Sequence, residues 1–91
     1  MESDGAVLQK LASLAFSENP KMRWQAVRHP GCPGDLALFL VDDPDPQVRL
    51  GALCRLVLSG TVSYGEARME AKKNSELVRQ FDAVLGMFGR R

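Results

Sequence analysis

The sequence predicts an all-α protein: a short stack of five to six helices, with no sheet, organised as a helical repeat. Three observations carry this. Apolar residues recur at helical spacing in almost every stretch between turns. Five prolines divide the chain into short segments. One pattern occurs twice: Asn19-Pro20-Lys21-Met22-Arg23-Trp24-Gln25-Ala26-Val27 aligns with Asp45-Pro46-Gln47-Val48-Arg49-Leu50-Gly51-Ala52-Leu53 at a constant offset of 26 residues. A period in the twenties marks units that cannot bury their own apolar face and must stack on neighbours, as in an α-solenoid-like array.

The first helix spans Gly5 to Phe16, with Val7, Leu8, Leu11, Leu14 and Ala15 at helical spacing and Asp4 as its expected cap. Asn19 then caps a second helix that opens on Pro20, where the missing N–H was an orphan in any case. That helix stops at His29-Pro30-Gly31, because Pro30 disfavours helical geometry at His29 and Gly31 can supply the turn. Pro33 opens a third, short helix with Leu36, Phe39 and Leu40 on one side. Asp42-Asp43-Pro44 ends it, and Asp45-Pro46 repeats the cap-and-proline start.

The fourth helix, Pro46 to Ser59, is apolar almost all round, which marks it as the central helix with neighbours on both flanks. Ser63-Tyr64-Gly65-Glu66 has the spacing of a capping box and opens a charged helix. Asn74-Ser75 leaves open whether residues 63–88 form one helix or two. Leu77, Val78, Phe81, Val84, Leu85 and Phe88 make the cleanest stripe in the chain. It must lie on the fourth helix, on the first, or on a second copy of the chain. Gly89-Arg90-Arg91 reads as a frayed tail. The expected organisation is one domain over residues 1–91: an N-terminal capping helix (1–18), two repeats (19–60) and C-terminal capping helices (61–91).

Composition narrows the class. Ninety-one residues bury only about 60 to 65 % of the surface the unfolded chain exposes, so the core is thin. No apolar run approaches the roughly 20 residues of a membrane span, and the start has no secretory pattern, so a cytoplasmic location is expected. The net charge of +1 gives no partner a preference. Cys32 and Cys54 are too few for a disulfide framework and read as free, buried thiols.

The repeated segments resemble known families. Asp43-Pro44-Asp45-Pro46-Gln47-Val48-Arg49, followed by Ala52 and Leu53, looks like the turn and second-helix start of a HEAT repeat. The unit from Val27-Arg28-His29-Pro30-Gly31-Cys32-Pro33 to Arg49 looks like a leucine-rich repeat variant, which alternates an α-helix with a short helix. The resemblance covers Asn19 to Leu58. It departs from a long solenoid in having two copies, in Gly51 where alanine is usual, and in an unrelated segment after Ser59. It implies that Arg23 and Arg49 pair with acidic groups of the turn, making Asn19, Pro20, Asp45, Pro46 and Arg49 structural. Some variant-repeat proteins carry an iron–sulfur cluster on a separate cysteine-rich segment that has no match here, so no cofactor is expected.

Chemistry is sparse. His29, Cys32 and Cys54 fall short of the four N or S ligands of a structural zinc site, and Asp42, Asp43 and Asp45 lack the closing glutamate of a calcium loop. No metal and no catalysis are expected. The expected function is a non-enzymatic protein–protein interaction module, a small adaptor or regulator. Trp24 is its anchor, with Arg23, Arg28 and His29 beside it, since Trp and Arg are enriched at interface hot spots. Trp24 packed in the core against the first helix is the competing reading. The alternative function is nucleic-acid binding through Lys21, Arg28, Arg55, Arg68, Lys72, Lys73, Arg79, Arg90 and Arg91, although Glu66, Glu70, Glu76 and Asp82 interrupt that face. Self-association is also expected, from the apolar surplus and the C-terminal stripe.

Overall fold

The computed structural model describes residues 2–73 and 75–89, with side chains described for 6–73 and 78–88. Six helices follow in order: α1 (Glu2–Ala15), α2 (Pro20–Arg28), α3 (Gly34–Leu40), α4 (Pro46–Leu58), α5 (Tyr64–Ala71) and α6 (Ser75–Gly89). Among the described residues there is no strand. Residues 63–88 therefore form two helices, separated by the turn at Lys72 and Lys73. Helix α1 starts at Glu2, so Asp4 lies inside the helix and not at its cap. The side chains of Glu76 and Leu77, and the Arg90-Arg91 tail, lie outside the described residues.

The chain folds as three consecutive helix pairs, α1 with α2, α3 with α4, and α5 with α6. Helix α4 is central and touches α2, α3, α5 and α6, as its all-round apolar surface requires. Val48 and the run Leu50 to Leu56 are buried in it. On one flank Ala15, Ala26, Val27, Leu40, Val48 and Ala52 form one core cluster. On the other, Leu50, Leu53, Cys54, Ala67, Ala71 and Phe81 form a second.

Among the described side chains of the C-terminal stripe, Val78, Val84, Leu85 and Phe88 pack on that second cluster and Phe81 is fully buried in it. The stripe is thus covered by α4 and α5 of the same chain.

The 26-residue repeat is written in hydrogen bonds as well as in residues. Ser17 Oγ accepts the Asn19 N–H (3.1 Å), and Asp43 Oδ1 accepts the Asp45 N–H (2.9 Å). Asn19 Oδ1 caps the Lys21 N–H (2.9 Å), and Asp45 Oδ1 caps those of Gln47 (2.9 Å) and Val48 (3.2 Å). Arg23 donates to the Ser17 carbonyl (2.8 Å), and Arg49 donates to the Asp43 carbonyl (2.9 Å). Each pair of positions differs by 26. The register extends back into α1, where buried Leu11 stands 26 residues before buried Ala37.

One bond links the two copies. Arg23 Nε and Nη2 hold Asp43 Oδ2 and Oδ1 at 2.6 and 3.1 Å, with side-chain exposures of 14 % and 4 %. The arginine of the first copy thereby grips the turn of the second, a fork-to-fork pair largely out of water. Arg49 differs from the expectation: it bonds the carbonyls of Asp43 and Pro44, not the turn carboxylates.

Gly51 explains the departure from alanine. A Cβ there would stand 2.6 Å from Val27 Cγ2 and 2.8 Å from Trp24 Cζ3, so only glycine lets α2 lie this close to α4. Helix α4 ends in a Schellman motif. Gly60 has φ 79°, its N–H reaches the Val57 carbonyl (3.1 Å), and the Thr61 N–H reaches the Leu56 carbonyl (3.0 Å).

Candidate protein-interaction surface

The anchor residues expected from sequence do not form one open site. Trp24 is half-buried, in edge contact with the Phe88 ring at 5.6 Å and lying against Gly51. It packs on α4 and α6. Its remaining face lines a cleft of about 380 Å³ with Pro20, Lys21, Asp45 and Gln47. Arg23 is not on a free surface, because its guanidinium is held by Asp43 and the Ser17 carbonyl. Arg28 and His29 are exposed at the end of α2. The His29 Nδ1 accepts the Gly31 N–H at 2.9 Å, so that ring shapes the turn.

Of the cations assigned to a nucleic-acid face, Arg55 is buried. Its Nε and Nη2 donate to the carbonyls of Val27 (2.9 Å) and Arg28 (2.8 Å), closing the C-terminus of α2, and its guanidinium lies 5.0 Å over the Phe88 ring. Burial lowers its pKa. Lys73 bonds Glu70 at 3.1 Å. The remaining bases among the described residues are distributed over α2, α5 and α6 and the turn after α5, while Arg90 and Arg91 lie outside the described residues. Among the described residues no group of three His, Cys, Asp or Glu stands close enough to hold a metal ion.

The two thiols are buried and free. Burial raises both, Cys54 to about 12, against a smaller lowering by Arg55. Such thiols are poor nucleophiles at neutral pH. Tyr64 donates to Asp82, which raises the phenol, and the Ser63 capping box lowers Glu66. Both groups sit on the surface and serve helix ends and pairing.

The open apolar surface lies elsewhere, between α1 and α3. Helix α1 carries two stripes. Leu11, Leu14 and Ala15 turn toward the α2 core, while Leu8, Ala12 and Phe16, spaced four apart, face α3. Helix α3 answers with Pro33, Leu36 and Phe39. Together they line a groove of about 360 Å³. Phe16 and Phe39 meet edge-on at 4.9 Å at one end, yet remain 65 % and 57 % exposed. Leu8 is 50 % exposed, and Leu38 adds a further exposed side chain on α3.

Sequence reading missed this face. The available signal was an excess: α1 and α3 each carry more apolar residues than one buried stripe needs. No protein-family model, curated protein or solved structure matches this chain. The surface must therefore be read from its own chemistry. Among the described residues no helix is long and apolar enough to cross a membrane.

Proposed function

We propose that this chain is a non-enzymatic protein-binding module, a short HEAT-like stack of helix pairs whose α1/α3 face docks another protein in the cytoplasm. The observation that carries this is the groove bounded by Leu8, Phe16 and Phe39. Monomers seldom leave apolar patches of this kind without a use, and large half-exposed aromatics are the groups that dominate interface energetics. The hydrogen-bonded repeat at Ser17–Arg23 and Asp43–Arg49 and the stacked helix pairs support the repeat reading.

The test is a helical-peptide library selected against the chain and, in parallel, against Leu8→Glu/Phe39→Glu. Both positions are at least half exposed, so the double variant should keep its helicity. Ligands that hold the parent and lose at least about tenfold (1.4 kcal/mol) on the variant support the proposal. Selection that yields only ligands indifferent to these substitutions would refute it. Binding of duplex or single-stranded nucleic acid with a steep salt dependence would favour the alternative function.

A further inference from the structure

Resting on that reading, we infer that the α1/α3 groove is built for a basic amphipathic helix of a partner protein, and not for a second copy of this chain. Shape gives the first half of the argument. From Leu8 to Phe16 the groove runs about 12 Å, the length of two helical turns. Its floor is set by small Ala12 between two parallel helices, Phe16 standing beside Phe39 at one end and Val7 beside Gly31 near the start of α3. Two parallel ridges with a small residue between them receive the i, i+4 and i+7 side chains of a third helix.

Charge gives the second half. Asp35 is the one charged residue in the groove wall. Glu18 lies just beyond Phe16, and Asp42 just beyond Phe39, and all three carboxylates are exposed. The single base on α1 or α3 is Lys10. It stands two positions, about 200°, around α1 from Leu8 and so faces away from the groove. Of the neighbouring arginines in the repeat, Arg23 is neutralised by Asp43, and the Arg49 guanidinium is held by the carbonyls of Asp43 and Pro44. The groove wall, and the chain directly following its two aromatics, therefore carry acids and no base. A second copy docked face to face would set Asp35, Glu18 and Asp42 against their own equivalents, which like charge opposes. A helix with Lys or Arg flanking its apolar stripe meets them favourably.

Two synthetic helices of about 16 residues, long enough to hold helical structure, test this. They share one Leu/Phe stripe and differ in carrying Lys or Glu at the flanking positions. Binding is followed by fluorescence anisotropy at moderate salt, and the site by amide shift mapping. The Lys peptide should bind at the α1/α3 face about tenfold more tightly than the Glu peptide. The order should reverse on Asp35→Lys/Asp42→Lys.

Preference for the Glu peptide, or equal binding of both at this face, overturns the basic-partner inference while leaving the protein-binding reading standing. Failure of both peptides, together with a concentration-dependent dimer abolished by Leu8→Glu/Phe39→Glu, overturns it in favour of a second copy. Failure of both with a monomer, or shifts confined to another face, overturns the docking reading itself.

Discussion

Asp43→Ala should be the most damaging single carboxylate change in the chain. The side chain accepts three hydrogen bonds: Arg23 Nε at 2.6 Å, Arg23 Nη2 at 3.1 Å and the Asp45 N–H at 2.9 Å. Removing it leaves the Arg23 guanidinium, itself 14 % exposed, with one remaining partner at the Ser17 carbonyl. Breaking a fully buried ion pair costs about 3–5 kcal/mol, and the edge of Arg23 that reaches water reduces this to about 2–3. The orphaned Asp45 N–H adds about 0.5–1. A total near 3 kcal/mol would be a third or more of the stability of a domain this size, about 5–10 kcal/mol, and would lower Tm by roughly 10–20 °C. Denaturant unfolding followed by far-ultraviolet circular dichroism measures it. A cycle with Arg23→Ala should show a coupling of about 2 kcal/mol, because the double variant no longer strands a charge. A cost for Asp43→Ala below about 1 kcal/mol, or a coupling near zero, would refute the claim that this pair ties the first copy to the second.

The other expectations concern the caps, the glycines and the thiols. Asp45→Ala should cost about 1–2 kcal/mol and Asn19→Ala about 0.5–1 in the same unfolding assay, since Asp45 caps two N–H groups and Asn19 one. Gly51→Ala should destabilise by about 1–3 kcal/mol despite the better helix propensity of alanine, and the fluorescence of Trp24 should report the displaced ring. Gly86→Ala meets nothing within 4 Å and should stabilise by about 0.5–1 kcal/mol, which calorimetry can check. Cys54 is pushed from 9.0 to about 12, so the folded state holds its proton while the unfolded thiol ionises first. Its contribution is fully present below about pH 9 and lost as pH rises toward 12, and thiol alkylation at pH 8 should proceed at the rate of opening.

How much of this was legible in the sequence depends on the range of the physics involved. The two cap-and-proline starts, the Ser63/Glu66 capping box and the central place of α4 follow from groups within a turn or two of each other, or from the composition of a single helix face. Those are local constraints, and the backbone obeys them wherever the segment ends up. Asp4 misled because a capping residue type says nothing about helical turns that precede it. That Arg23 pairs with an acid of the turn followed from the resemblance of the repeated segments, but which acid did not. Only the packing of α2 on α4 brings Asp43, rather than Asp42 or Asp45, to Arg23 across 20 residues of chain. Trp24 shows the same limit. Its place on the helix left an open anchor and a core position as competing readings, and only the approach to Gly51 and Phe88 makes it half-buried. The α1/α3 groove was hidden because periodicity marks which side chains share a face, and not whether a neighbour covers that face.

The three helix pairs meet at two junctions of different chemistry, and the difference accounts for the loss of the 26-residue pattern after Ser59. Between the first pair and the second, the join combines an apolar cluster with the Arg23–Asp43 fork, which needs an arginine in one copy and an acid in the turn of the next. Between the second pair and the third, Arg49 turns back to the carbonyls of its own turn, and the position that a further acid would serve is left without one. There the join is made by Phe81, buried among Leu50, Leu53 and Cys54, and by Phe88 bridging Trp24 and Arg55. An apolar join specifies volume and not a partner atom, so α5 and α6 are free of the cap-proline-arginine pattern while still packing on α4. With α6 covering one side of α4 in this way, the large apolar groups left half-exposed on the first two pairs gather on α1 and α3, the face on which the binding proposal rests.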